Sequence, residues 1–142
     1  PHLAHFLATA PLAQLQSLTL TKINLSGAVS EIFGQAHLTA LQELKLIAAD
    51  LATADIAALV RLAVCDKLDT LSLAGNYLNN ADLAPLLNCD RFTHLTILDL
   101  SNTKVTAKNF KQQIAQRKLP ALEKIILSGT PAAEVLGTEV RV

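Results

Sequence analysis

The chain has no methionine and no tryptophan, a single tyrosine, two cysteines and no net charge. Each scarcity excludes something. Two cysteines at non-equivalent places, Cys65 and Cys89, give no disulfide framework, so a reducing compartment is expected. Twelve basic residues balance twelve acidic ones, which removes the net basic footprint of a nucleic-acid binder. No run of about 18 uncharged apolar residues occurs, so no membrane span is expected. The opening His2-Leu3-Ala4-His5-Phe6 lacks the basic and long apolar regions of a secretion signal. These features predict a cytoplasmic or otherwise intracellular protein. The four histidines, His2, His5, His37 and His94, do not converge on any metal-ligand spacing, and no glycine-rich loop could cradle a phosphate. Neither metal nor cofactor is expected.

What the chain does have is aliphatic bulk and rhythm. Hydrophobic residues make up 51% of the sequence and aromatics only 4%, which suits thin layers packed with leucine and alanine. Leu15-Gln-Ser-Leu18-Thr-Leu20 recurs as Leu41-Gln-Glu-Leu44-Lys-Leu46, Leu68-Asp-Thr-Leu71-Ser-Leu73, Leu95-Thr-Ile-Leu98-Asp-Leu100 and Leu122-Glu-Lys-Ile125-Ile-Leu127. The blocks start 26, 27, 27 and 27 residues apart. Within each block a period of two predicts a strand with one apolar face. Upstream, apolar residues stand twelve, eight and three places before each reference leucine, for example Ile56, Val60 and Cys65, as an amphipathic helix and turn would place them. Ser26, Thr53 and Asn80 precede the first apolar helix residue and are expected to cap three of these helices; the fourth is expected to start near Thr106. No 27-residue segment can bury its own apolar face, so neighbours must cover one another.

The L-x-x-L-x-L blocks and their spacing resemble the leucine-rich-repeat family, in the helix-bearing form typified by ribonuclease inhibitor. The likeness spans about residues 12–132. It implies an α/β fold: a right-handed solenoid of about five 27-residue strand–loop–helix repeats, with a parallel concave sheet and helices on the convex side. Residues 1–14 would form an N-terminal half-repeat helix, 15–132 the repeats and 133–142 an irregular cap, all in one domain. The family's ninth position, usually Asn or Cys, here reads Ile23, Ala49, Asn76, Thr103 and Thr130. Only Asn76 could make the family's full amide bridge, whereas each Thr offers a single hydroxyl. The resemblance further implies a protein-binding module that grips a folded partner, an enzyme or signalling protein, and inhibits an enzyme by covering its active site. Compact Ala- and Leu-rich repeats also resemble effectors that bacteria deliver into host cells. A non-inhibitory scaffold or recognition fragment of a longer repeat receptor is the alternative.

The outward strand positions follow from the period of two. Among them Glu43, Lys45, Ile47, Thr70, Ser72, Ile97, Asp99, Lys124 and Ile126, with Tyr77 on the loop leaving the third strand, form the candidate partner-binding set. Short polar residues leave room for a partner. Isoleucines and a tyrosine are the apolar anchors that interfaces favour, although β-branched residues also simply suit strands. Nine acids oppose four bases between Val29 and Asp99, whereas six bases oppose Glu123 alone from Lys104 to Lys124. That gradient would orient a charged partner, or else mark solvated faces. A hydrolase using Asp99 is the outlying reading, because carboxylates spread over separate strands lack a site that excludes water. No catalytic residue is assigned.

Overall fold

The computed structural model describes residues 2–34 and 37–142; Pro1, Gln35 and Ala36 lie outside the described residues. It is an α/β fold built on one six-stranded sheet in the order β1-β2-β3-β4-β5-β6. The strands are β1 (Ser17–Thr21), β2 (Glu43–Ile47), β3 (Thr70–Ser72), β4 (Ile97–Asp99), β5 (Lys124–Ile126) and β6 (Glu139–Arg141). The helices α1 (His2–Thr9), α2 (Val29–Phe33), α3 (Thr53–Leu59), α4 (Ala84–Leu87), α5 (Phe110–Ala115) and α6 (Ala133–Leu136) are short, most of them one or two turns. Three-residue 3-10 turns at Ala63–Cys65 and Ala81–Leu83 complete the helical side.

The first five strands are parallel, and their register follows the sequence period. Leu18 pairs with Leu44, Leu44 with Leu71, Leu71 with Leu98 and Leu98 with Ile125. Consequently the strand leucines stack in rows. Leu44, Leu46, Leu71, Leu73, Leu98, Leu100, Ile125 and Leu127 are wholly buried, as are Ile56, Leu83 and Phe110 from the helical side. At about 1.5–3 kcal/mol for each fully buried large aliphatic side chain, these rows dominate the stability.

The sixth strand departs from the expected all-parallel sheet. β6 runs antiparallel to β5, pairing Val140 with Ile125 and Glu139 with Ile126. The segment expected to be irregular thus contains a helical turn, α6, and a strand. Gly137, at a φ of +89°, lies between them where the chain turns back. The Leu127 N–H donates to the Thr138 carbonyl at 2.8 Å and the Val142 N–H to the Glu123 carbonyl at 3.0 Å, so backbone groups of the last parallel strand region find partners.

Each of the five parallel strands is left through a residue in the left-handed region: Lys22, Ala48, Gly75, Asn102 and Gly129. The first four donate their N–H to the neighbouring loop, at Ile47, Ala74, Ser101 and Ser128, over 2.8–2.9 Å. Three of the five positions are not glycine, and each such residue costs about 1–2 kcal/mol. Repetition of the turn therefore reflects the neighbour's carbonyl more than local preference. At Gly75 the fit is also steric, since a Cβ there would lie 3.2 Å from the Ala48 backbone nitrogen.

Capping differs from expectation. Helix α3 starts after Ala52, and Thr53 is its first residue rather than its cap. The carboxylate of Asp55, three residues on, accepts from the Ala52 N–H at 2.9 Å and also from the Gly27 N–H at 2.8 Å. Asp82 repeats the device one period later, accepting from the Asn79 N–H at 2.9 Å and from the Thr53 hydroxyl. Asn80 instead reaches into the next loop, accepting from the Thr106 N–H at 2.8 Å and donating to the Thr106 carbonyl at 3.0 Å. Ser26 does not cap α2, which follows Ala28 without a side-chain cap. Helix α5 starts at Phe110, later than Thr106, after Asn109 in the left-handed conformation. An acid that caps its own helix and grips the preceding loop does two jobs, which outweighs a simple hydroxyl cap.

The ninth-position residues behave as their chemistry dictates. The buried Asn76 amide accepts from the Ala49 and Leu51 N–H groups at 3.0 Å each and donates to the Leu46 and Leu73 carbonyls at 2.9 and 2.8 Å. Thr103 and Thr130 each donate one hydroxyl bond within their own segment, to Leu100 and Leu127 at 2.7 and 2.6 Å. Asn76→Ala is expected to lower the unfolding free energy by about 3–4 kcal/mol, because several buried groups lose partners, and Thr103→Ala by about 1 kcal/mol. Urea denaturation measures both, and similar small losses would refute the bridge. In the same assay Gly75→Ala is expected to cost about 1–2 kcal/mol from its backbone conformation alone.

Candidate functional site

Alternation along the strands divides the sheet into two unlike faces. Leu44 and Leu46 are fully buried, while Glu43, Lys45 and Ile47 between and beside them are half-buried. Helices pack over the first set, and the second set forms an open face. The paired positions on this face make two rows. One runs Ser17, Glu43, Thr70, Ile97, Lys124 and, through the antiparallel strand, Arg141; the other runs Thr19, Lys45, Ser72, Asp99, Ile126 and Glu139. Ser72 is the buried member, with 1% of its surface exposed, because its short side chain sits low between longer neighbours.

The apolar candidates divide. Ile97 and Ile126 occupy adjacent strands one row apart, since Ile97 pairs with Lys124 and Asp99 with Ile126. Ile47 pairs with Thr21, two strands away from Ile97 and beyond both of these rows. It stands beside the strand-exit loops. There Tyr77 is 80% exposed instead of folded onto its own loop. Its ring has Lys104 Nζ 4.6 Å from the centroid. Lys104 follows Tyr77 by one period, so the pair is a stacking of equivalent loop positions. Such an exposed cation–π contact is worth about 0.5–1 kcal/mol. A recess of about 400 Å³ lined by Asn79, Asn80, Lys104, Thr106, Lys108 and Asn109 continues this edge.

Charge on the open face is paired within the face. Lys45 lies 3.8 Å from Glu43, which also accepts from the Ser17 hydroxyl at 2.7 Å. Lys124 and Arg141 lie 3.4 and 3.1 Å from Glu139. Asp99 accepts from the Ser72 hydroxyl at 3.2 Å, the Ser101 N–H at 3.0 Å and the Ser101 hydroxyl at 2.6 Å. These hydroxyl and amide bonds hold the carboxylate in the turn that leaves β4. Surface pairs of this kind stabilise by at most about 1 kcal/mol each, but they cancel one another's field at a distance. Lys104, Lys108, Lys111 and Lys118, all exposed, lie off this face on loops and the helical side. The cap residues Glu139 and Arg141 belong to this face, and Lys104 stands at its loop edge, although the strand motif contains none of them. Lys104 was findable from its place one period after Tyr77.

Other candidate groups stand apart. Cys65 is buried, Cys89 is half-buried, and neither is in a disulfide. Burial pushes the Cys65 thiol up to about 12, with the Arg91 charge opposing and Asp66 and Cys89 adding to the rise. It is a packing residue and a poor nucleophile. Arg91 forms an ion pair with Asp66 nearby. Among the described residues no three His, Cys, Asp or Glu side chains gather as a metal-ligand set, and no helix is long and apolar enough to cross a membrane.

No protein-family model matches this chain, and a search of curated proteins finds no similar sequence.

The Cys65 shift has a stability consequence. The folded thiol keeps its proton above pH 9.0, where the unfolded one loses it, so unfolding releases a proton and rising pH favours unfolding. Stability should fall between pH 9 and about 12, with this group contributing on the order of 1 kcal/mol per pH unit. Denaturation series at pH 8, 9.5 and 10.5 should show a shallower decline for Cys65→Ala than for the wild type, and parallel slopes would refute the assignment.

Proposed function

We propose that the chain is a leucine-rich-repeat solenoid of about five repeats that serves as a protein-binding module. In this reading a folded partner sits on the concave strand face and the adjoining loops. The observation that carries it is an uncovered face on a sheet whose first five strands are parallel. Parallel sheets are ordinarily covered on both sides. An open one implies that something outside the fold occupies it.

Ile97 and Ile126 supply a small apolar contact at the middle of the face, and Tyr77 with Lys104 supplies a rigid anchor at its loop edge. Around them Ser17, Thr19, Thr70 and Ser72 keep the surface low and able to hydrogen-bond. Because Glu43, Lys45, Asp99 and Lys124 are already partnered, they define register with the docked protein more than long-range attraction. Lys104 and Lys108, exposed on the loops at the edge of the face, supply attraction for an acidic partner. Asp99 is read as an acceptor that fixes the face, without a catalytic role.

The narrower form of the proposal is inhibition, in which the rigid face covers an enzyme's active site. Proteins retained by the wild-type chain from its native cell lysate would be identified by mass spectrometry and then remeasured as purified pairs. Tyr77→Ala and Ile97→Ala are each expected to weaken the purified complex by about 1–3 kcal/mol with unchanged circular dichroism. Lys118→Gln, on the helical side, should leave it unaltered. Equal affinity for all three variants would remove the open face as the docking surface. Loss of partner turnover in proportion to occupancy would establish inhibition; full turnover in the saturated complex would leave a scaffold.

A further inference from the structure

We infer that the loop edge of the sheet is a two-fold contact through which a second copy of this chain docks, with Tyr77 beside the symmetry axis. Four residues after the second strand leucine, the equivalent positions of the five segments are Asn24, Asp50, Tyr77, Lys104 and Pro131. All five are exposed, so they form one solvent-facing row along the loops that leave β1 to β5. Neighbouring members stand about one strand spacing apart, roughly 4.7–4.9 Å at the sheet.

The row is complementary to itself after a half-turn. Asp50 lies one segment before Tyr77 and Lys104 one segment after it, and the outer members Asn24 and Pro131 are uncharged. A half-turn about an axis near Tyr77 exchanges the segment before it with the segment after it. Asp50 then faces Lys104 of the second copy, Lys104 faces Asp50 of the second copy, and the two tyrosines meet at the centre. A two-fold contact requires such a self-complementary patch.

Each member is available for the contact. Asp50 and Lys104 have no opposite charge within ion-pair distance among the described residues, whereas Glu43, Lys45, Lys124 and Glu139 are matched within the chain. Tyr77 is 80% exposed, and its ring carries Lys104 Nζ 4.6 Å from the centroid. An ammonium has three donors, so contact with the ring leaves N–H groups for a carboxylate. Beside the ring a recess of about 240 Å³, lined by Asp50, Leu51, Gly75 and Tyr77, takes the tyrosine of the copy. An aromatic anchor in a recess supplies affinity, and the flanking charges fix register. A second copy is the occupant because the match is internal: the acid, aromatic and base that one edge offers are those it needs. The chain's zero net charge puts no overall repulsion between copies.

The patch is small. Contacts below about 1,200 Å² of total buried area are weak and transient, so a Kd of about 10–300 µM is expected. Tyr77 and Lys104 also border the open face, so a partner docked there and a second copy compete for this edge. The inference concerns the free chain and does not depend on that partner.

Sedimentation equilibrium of the purified chain from about 5 µM to 1 mM tests it. The average mass is expected to rise from that of one chain toward that of two. Tyr77→Ala should weaken association at least about tenfold. Asp50→Lys and Lys104→Glu should each do the same, because each sets like charges face to face. Combining these two reversals restores opposite pairs and should return association to within about threefold of the wild type. Asp50 holds a φ of +55°, and Lys22 at +59° shows that this fold accepts a lysine in that conformation. Thermal melts check that every variant keeps the fold. Lys118→Gln, an exposed cation outside the row, should leave association unchanged. A wild-type chain that stays monomeric throughout overturns the inference. So does a dimer indifferent to Tyr77→Ala, which would place the contact on another face. A combined variant no tighter than the single reversals also overturns it, since charge would then not pair across a two-fold axis. None of these results touches docking on the open face, which is measured on the mixed complex.

Discussion

The buried leucine rows are covered by their neighbours along the sheet, and every other feature of the molecule answers to that fact. A segment of 27 residues offers a three- to five-residue strand and a helix of a turn or two, too little to enclose its own side chains. The effect shows in the first segment, which has a neighbour on only one side among the described residues. Leu3, Leu12, Leu15 and Leu18 of the first segment are only half-buried and Phe6 is 55% exposed, while their counterparts Val29, Leu38, Leu41, Leu44 and Ile32 are 8% exposed or less. These are large apolar side chains at equivalent positions, and they differ chiefly in having a layer on one side or on both. At the opposite end β6 reverses direction and places Val140 against Ile125, so a strand that breaks the rhythm closes what the rhythm leaves open.

Stacking also dictates the polar chemistry of the loops. Chain segments that leave one strand must satisfy backbone groups beside the next, and the solution is a set of bonds between consecutive segments. The first four left-handed exits donate to the end of the following strand or to its loop. Asp55 grips the loop before α2, Asp82 grips Thr53 at the start of α3, Asn80 grips the loop after it, and Asn76 ties two loops together. Conformational strain at Lys22, Ala48 and Asn102 is tolerated because these bonds and the leucine rows over-determine the path.

That lacing frees the outer face of the sheet from any structural duty beyond its own side-chain pairs. The resulting surface is low, internally neutral and able to hydrogen-bond, with apolar relief at Ile97 and Ile126 and an exposed aromatic at its edge. Such a surface suits macromolecular docking in the proposal above, since specificity can come from shape and hydrogen bonds while attraction comes from lysines elsewhere.

The 27-residue period by itself determined the parallel strands, their register, the buried leucines and the identity of the outward rows. A strand has one alternation and stacked equivalents share one environment, so local pattern and tertiary position coincide. The difference between Asn76 and the threonines at 103 and 130 was equally legible, because it rests on how many bonds an amide or a hydroxyl can make. Caps were misread because the deciding partner lies a full period away. Thr53 looks like a cap by position, yet Asp55 takes the role by bonding Gly27 as well. The antiparallel β6, the stacking of Lys104 on Tyr77 and the neutralisation of Glu139 by Lys124 and Arg141 were decided only in three dimensions. Each depends on the distance between groups that no short sequence window contains, and a repeat signal carries no information about the segment in which the repeat stops.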